Sequence, residues 1–205
     1  MADTVVTFKK PSPRIGVDKY TLFPLTEDDR KTGKATYGDA IEIPGTVEIA
    51  PTDSGSTEAF DADNGAYDVE TILESIGHEI TNADIPPEVD AMMRGLNLKN
   101  GGVEVGKDIN APYFAVAWRV KKLDGSYRLV RYYKGKYGFA SPVGAKTKPS
   151  SGASEKQTAT ATYSAVARDC DDAYYFYKDV EATDTEAMEN WFTDPNWVPA
   201  EASAE

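Results

Sequence analysis

Residues 113–120 constrain the fold of this chain most strongly, because their side chains alternate with the period of a β-strand. A turn pair, Asp124-Gly125, follows, and residues 127–133 form the expected return strand. One face of the first segment carries Phe114, Val116, Trp118 and Val120, and the other carries Tyr113, Ala115, Ala117 and Arg119. The pattern predicts an antiparallel hairpin and a fold built mainly of β-strands.

Four other segments also predict strands. Residues 14–25 are apolar and end at a polar cluster, residues 26–30, which predicts a loop. Residues 40–49 alternate on both sides of a break at Pro44-Gly45. Residues 157–167 place small and apolar side chains opposite hydroxyls and would reach roughly 36 Å as one strand. Residues 173–178 add an aromatic strand.

Residues 67–81 carry two conflicting periods. Val69, Ile72, Leu73 and Ile76 follow helical spacing, whereas Ile76, His78 and Ile80 alternate as in a strand. Periodicity alone favours a helix for the first half of the segment. Two short helices are predicted elsewhere, over residues 84–95 and after the capping-box spacing of Thr183 and Glu186.

Charge and composition exclude several classes of protein. The net charge of −12 disfavours binding to nucleic-acid phosphates or to anionic lipid. The amino terminus shows no basic segment followed by an apolar run, so neither export nor a membrane span is expected. A single cysteine, Cys170, excludes an intrachain disulfide.

Catalytic and metal chemistry finds little support in the sequence. One histidine, His78, and one cysteine exclude the usual zinc sets, and His78 is interpreted as structural. Residues 61–65 resemble a calcium loop only partly, because the glycine comes one position early, and they are interpreted as a turn. We therefore expect no enzyme activity, no catalytic residue, no metal and no cofactor.

Two other functions remain open. Aromatic residues of three strand segments could form a sugar platform, as in a carbohydrate-binding β-sandwich module; they are Trp118, Tyr132, Tyr133, Tyr174, Tyr175, Phe176 and Tyr177. A small hydrolase using two carboxylates is the second alternative, but with 34 acidic residues no particular pair can be selected.

The order and spacing of several motifs resemble the major tail protein, or tail tube protein, of long-tailed non-contractile bacteriophages (siphophages). The resemblance covers roughly residues 15–178, and no single motif decides it. The motifs are Ala40-Ile-Glu-Ile-Pro-Gly-Thr-Val-Glu-Ile49, Phe60-Asp-Ala-Asp-Asn-Gly65, Ala83-Asp-Ile-Pro-Pro-Glu-Val89, Gly101-Gly-Val-Glu-Val105, Ala111-Pro-Tyr-Phe-Ala-Val-Ala-Trp-Arg119, Asp124-Gly-Ser-Tyr-Arg128, Tyr133-Lys-Gly-Lys-Tyr137 and Ala145-Lys-Thr-Lys148.

This resemblance implies an antiparallel β-sandwich or barrel of the phage tail tube type, with one or two short helices. It implies hexameric rings that stack into a hollow tube in the virion, assembled in the bacterial host cytoplasm, through which DNA passes without specific binding. The implied partners are further copies of the chain, a tape measure protein, a tail terminator and distal tail or baseplate proteins, and no membrane. It also favours a strand over residues 67–81.

The resemblance further implies a division of the chain and two sets of contact residues. Residues 1–13 would form an amino-terminal arm, residues 14–182 the β-sandwich, and residues 183–205 a short helix with an acidic tail. An inter-ring loop at about residues 51–65, which the sequence alone predicts as a long loop or an exposed hairpin, would contact the next ring through Thr52, Asp53, Ser54, Gly55, Ser56, Thr57, Glu58 and Phe60. A lumen-lining or inter-subunit strand would present Thr158, Thr160, Thr162 and Ser164.

Overall fold

The computed structural model describes residues 10–62, 64–139 and 142–199. Within them the chain is mainly β, and every pair of neighbouring strands is antiparallel, as predicted. The strands are β1 Arg14–Asp29, β2 Lys34–Tyr37, β3 Ile41–Ile43, β4 Thr46–Pro51, β5 Ser54–Ala62, β6 Gly65–Asn82, β7 Asn97–Lys99, β8 Gly102–Glu104, β9 Phe114–Lys122, β10 Tyr127–Tyr137, β11 Ala159–Ala165 and β12 Tyr175–Val180. The helices are α1 Pro87–Arg94 and α2 Thr185–Asn190.

The main sheet closes on itself as a barrel. Its strands pair in the order β1, β9, β10, β11, β6 and β4, and β3 pairs back with β1. Only Pro44 and Gly45 separate β3 from β4, and Gly45 has a φ of 87°, which lets the chain turn this corner. The predicted break at Pro44-Gly45 is therefore confirmed, and it is the point where the chain passes from one neighbour to the other.

The barrel interior is filled by the apolar face of each strand. Val116 and Trp118 of β9 pack there against Tyr20, Leu22, Ile80 and Tyr163. The opposite face of β9 is also buried, because Ala115 and Ala117 lie under helix α2, where they pack with Leu129 and Trp191. The hairpin of β9 and β10 is thus confirmed, and its two faces serve two separate cores.

Arg131 fixes the carboxy-terminal segment on the outer core. Its side chain is buried and donates hydrogen bonds of 2.6 to 2.8 Å to the carbonyl oxygens of Trp191, Pro195 and Trp197. Burial lowers the pKa of Arg131 to about 10, so the guanidinium stays charged at neutral pH. The carbonyls that follow α2 therefore have a cationic partner, which the sequence pattern did not reveal.

Several local predictions are wrong in detail. The polar cluster at residues 26–30 is not a loop, because β1 continues to Asp29, which pairs with Lys34 of β2. The helical spacing of residues 67–76 does not lead to a helix, and the segment lies within β6, as the resemblance implied. Strand β11 is shorter than residues 157–167. The residue that caps helix α2 is Asp184 and not Thr183, since the Asp184 carboxylate accepts a 3.0 Å hydrogen bond from the amide of Ala187.

Candidate self-assembly surface

A long hairpin, formed by β5 and the first half of β6, extends from the barrel without covering any of its core. Strand β5 pairs only with β6 among the described strands. Residues 65–75 of β6 are exposed throughout, whereas the remainder of that strand belongs to the barrel. The nine residues of β5 correspond to roughly 30 Å of extended chain.

The root of this hairpin is tied to the barrel at Gly77. The Gly77 carbonyl accepts a 2.9 Å hydrogen bond from the Thr52 amide, and the Gly77 amide donates a 3.0 Å hydrogen bond to the Asp53 carboxylate. The hydroxyls of Ser54 and Ser75 lie 2.7 Å apart just beyond it. These bonds set the direction in which the hairpin leaves the barrel.

Most of the predicted inter-ring loop is therefore a β-strand. Thr52 and Asp53 lie in the root, and Ser54, Gly55, Ser56, Thr57, Glu58 and Phe60 belong to β5. Of the two structures that the sequence allowed here, the exposed hairpin is correct and the prediction of a long loop is wrong. Asp63, at the predicted turn of residues 61–65, lies outside the described residues.

The two faces of the hairpin differ in chemistry. Cross-strand partners share a face, so one face carries the uncharged pairs Gly55 with Leu73, Thr57 with Thr71, and Ala59 with Val69. The opposite face carries the pairs Ser56 with Ile72, Glu58 with Glu70, and Phe60 with Asp68. One face is thus uncharged and the other acidic.

The far end of the hairpin presents two large aromatic side chains. Phe60 is 66% exposed and Tyr67 is 74% exposed. Their rings meet edge to face, with the centroids 6.5 Å apart. We call this pair the tip. The tip and the apolar side chains Val69 and Leu73 place hydrophobic surface in solvent, which is typical of a contact site.

The hydroxyl row predicted to line a lumen lies on the barrel wall next to the hairpin root. Thr160, Thr162 and Ser164 lie on the outward face of β11, where Ser164 pairs with Gly77. Thr158 is exposed and precedes the strand. The row therefore begins beside the hairpin root at Ser164 and runs away from it along β11, since Thr160 pairs with Thr81.

A cleft opens at one end of the barrel, and we call it the mouth. Its volume is about 260 Å³. Arg14, Asp53 and Arg128 supply its charged groups, and the residues lining the remainder are Ile49, Pro51, Trp118, Val120, Val130, Tyr132, Tyr175 and Tyr177. The charged groups were missed by the sequence analysis, because they come from three distant segments and carry no shared motif.

Four of the aromatic residues proposed for a sugar platform meet at the mouth. Trp118, Tyr132, Tyr175 and Tyr177 stack in that order, with centroid distances of 5.4, 5.0 and 6.2 Å. Phe176 faces the other way and contacts Trp191, and Tyr133 lies under Arg168. The predicted platform is therefore brought together only in part.

His78 lies deep in the barrel, below the mouth. Its Nε2 atom is 2.6 Å from the hydroxyl oxygen of Tyr20, and aromatic rings including those of Trp118 and Tyr163 surround it. Burial lowers the pKa of His78 to about 3, so the ring is neutral at physiological pH. This environment agrees with the interpretation of His78 as a structural residue.

An ion cluster around the buried Lys134 shows that acidic residues also have structural roles here. Lys134 lies 2.8 Å from Asp28 and 2.6 Å from Asp169. Burial by itself would raise the pKa of Asp28, but the hydrogen bonds from Lys134 and from the amides of Asp169 and Cys170 lower it overall. The cluster ties β1 to the turn before β12.

Across the described ranges, no group of three or more His, Cys, Asp or Glu side chains is arranged to hold a metal ion. No helix among those residues is both long and apolar enough to cross a membrane. No protein-family model matches the chain, and no curated protein is significantly similar to it.

Proposed function

We propose that this protein is a structural subunit that assembles with copies of itself into stacked hexameric rings, forming the tube of a siphophage tail. The observation that carries the proposal is the hairpin of β5 and the first half of β6, in which residues 57–60 and 65–75 are all exposed. The six-fold symmetry, the tube and the tape measure, terminator and distal tail partners follow from the family resemblance.

The hairpin gains little stability from its own chain. A two-stranded hairpin is marginally stable in water, and among the described residues neither hydrophobic core includes a side chain of this hairpin. Residues 65–75 of β6 pair on one side only, with β5, and β5 likewise has one free edge within the described structure. Both edges are therefore available for pairing with strands of neighbouring subunits.

Backbone and apolar contacts would supply the attraction that the charge of −12 does not. Charges farther apart than about 8 Å are largely screened at physiological salt. The uncharged face, with Val69 and Leu73, is suited to contact with a neighbour. The acidic face, with Glu58, Asp68 and Glu70, is suited to a DNA channel, because it repels phosphates and lets the genome slide.

Electron microscopy and sedimentation of the purified protein test this proposal. We expect rings or tubes of uniform diameter, with a sedimenting fraction that increases with protein concentration. Val69→Asp, which places a charge on the uncharged face, should abolish them. Val105→Asp, at a similarly exposed valine outside the hairpin, is the matched control and should leave assembly unchanged.

Two results would contradict the proposal. A wild-type protein that remains monomeric at high concentration across salt and pH conditions would exclude self-assembly. If the Val69→Asp variant assembles as efficiently as the wild type, the hairpin is not part of the interface. A monomer that binds a glycan would instead favour the carbohydrate-binding module.

A further inference from the structure

The tip and the mouth are two aromatic features that lack a complement among the described residues of their own subunit. The tip places Phe60 and Tyr67 in solvent. The mouth is an open cleft between β4, β9, β10 and β12, and its volume of about 260 Å³ suits one or two aromatic side chains. Exposed apolar groups and an open aromatic cleft on one surface are a common basis for contact between copies.

The mouth is lined by a series of stacked aromatic rings. A stack of rings leads from Tyr20 in the core through Trp118 and Tyr132 to Tyr175 and Tyr177 at the surface. Tyr177 is about half exposed, so the stack ends in an accessible ring. Aromatic pairs add favourable stacking or edge-to-face contacts to the burial of their surface.

The tip of a subunit is too far from that subunit's own mouth to enter it. Asp53 lies both in the hairpin root and on the mouth wall. Phe60 is seven residues beyond Asp53, which corresponds to roughly 23 Å of extended strand directed away from the barrel. A tip that enters the mouth therefore has to come from another copy.

The hairpin and the mouth also carry charges of opposite sign. Residues 54–75 contain six acidic residues and no lysine or arginine. The mouth lining contains two arginines, Arg14 and Arg128, against one carboxylate, Asp53. Arg128 also pairs with Asp179 at 2.7 Å, so Arg14 is the cation that a docked acidic hairpin would meet, and this contact favours correct docking over other orientations.

We propose that Phe60 and Tyr67 of one subunit insert into the mouth of a second copy. This inference rests on the proposed self-assembly and specifies its contact. The two patches differ, so the contact is heterologous and generates either a ring or an open filament. Root and mouth share one end of the barrel through Asp53, and we place the second copy beside the first, as in a ring.

The first test compares assembly by sedimentation across a concentration series. The double variant Phe60→Ala with Tyr67→Ala should raise the concentration needed for assembly by about tenfold or more, because buried aromatic anchors dominate interfaces. Tyr177→Ala, at the mouth, should act in the same direction. Phe139→Ala removes a similarly exposed ring outside both features and should have no effect.

The second test is disulfide trapping in a Cys170→Ser background. A mixture of Phe60→Cys and Tyr177→Cys subunits, oxidised with diamide, should give a covalent dimer that contains one subunit of each variant. A mixture of Phe139→Cys and Tyr177→Cys is the matched control and should give at most a background level of this product. Each variant is first checked for native near-ultraviolet circular dichroism.

The outcomes separate this inference from the proposed function. Rings or tubes that form normally without Phe60 and Tyr67, and no cross-link above background, would overturn the insertion while leaving self-assembly intact. A wild-type protein that never assembles would overturn both. If N-acetylglucosamine shifts the Trp118 indole resonance, depends on Tyr177 and leaves assembly unchanged, the occupant of the mouth is a saccharide and the inference is wrong.

Discussion

Strand β6 passes through two environments that its sequence does not distinguish. Residues 65–75 stand in solvent with one neighbouring strand, whereas residues 76–82 lie in the barrel between β11 and β4. Both halves contain apolar side chains, and the exposed half has the more helical spacing. The available neighbours, and not the local pattern, therefore decide whether an apolar side chain of this strand is buried.

The difference has an energetic consequence. Burying a large aliphatic side chain stabilises a fold by about 1.5 to 3 kcal/mol, so the barrel half of β6 contributes strongly to the stability of the monomer. The hairpin half gains little from burial in the isolated subunit. Substitutions in the two halves should therefore affect different quantities, namely unfolding of the monomer and association between subunits.

The largest expected effect distinguishes two isoleucines of this one strand. Ile80 is 1% exposed and Ile72 is 37% exposed. Ile80→Ala should lower the free energy of unfolding by about 2 to 5 kcal/mol, because it removes buried methyl groups and leaves a cavity. Ile72→Ala should change it by less than about 1 kcal/mol. Urea denaturation of the monomer measures both, and equal losses would contradict the division of β6.

The next largest effect is the pH dependence of the free energy of unfolding, which His78 in the buried half of β6 causes. His78 has a pKa of about 3 in the folded state against 6.5 in the unfolded chain. Between these values the unfolded chain binds more protons, so the stability present above pH 6.5 is lost as the pH falls towards 3. Between pH 6.5 and 4.5 the free energy of unfolding should decrease by about 2 kcal/mol.

Urea titrations at several pH values measure this slope. Carboxylates such as Asp179, whose pKa is lowered to about 2, contribute mainly below pH 4 and stay outside this window. His78→Gln should flatten the slope, and Glu70→Gln in the hairpin should leave it unchanged. A wild-type stability that is constant from pH 6.5 to 4.5 would show that His78 does not remain buried and neutral.

The barrel was more predictable than the hairpin. Alternation at residues 113–120 indicated two distinct faces, and both are buried, one within the barrel and one under α2. The bend at Pro44-Gly45 and the stop of α1 at Gly95 depend on local backbone geometry, which a sequence reveals directly. Residues 67–76 misled the periodicity argument because Val69, Leu73 and Ile72 have no core partner whose spacing they must match.

The candidate surface could be predicted only in its position along the chain. A polar stretch at residues 51–63 indicated an exposed segment, and an exposed hairpin is what the structure contains. Its extent depends on pairing with residues 65–75, which the helical spacing concealed. The mouth could not be predicted, because Arg14, Asp53 and Arg128 meet through the closure of the barrel, and no local pattern reports that closure.

The smallest expected effect is confined to the exposed half. Glu58 and Glu70 lie directly opposite each other, and like charges in such a pair destabilise a hairpin. Glu70→Lys should therefore stabilise the hairpin by about 0.2 to 1 kcal/mol and leave the unfolding of the barrel unchanged. Amide hydrogen exchange measures this as slower exchange at residues 56–72, with Glu70→Gln expected between the wild type and the lysine variant. Faster exchange in the lysine variant, or a comparable change in the amides of residues 76–82, would show that the two halves of β6 do not respond separately.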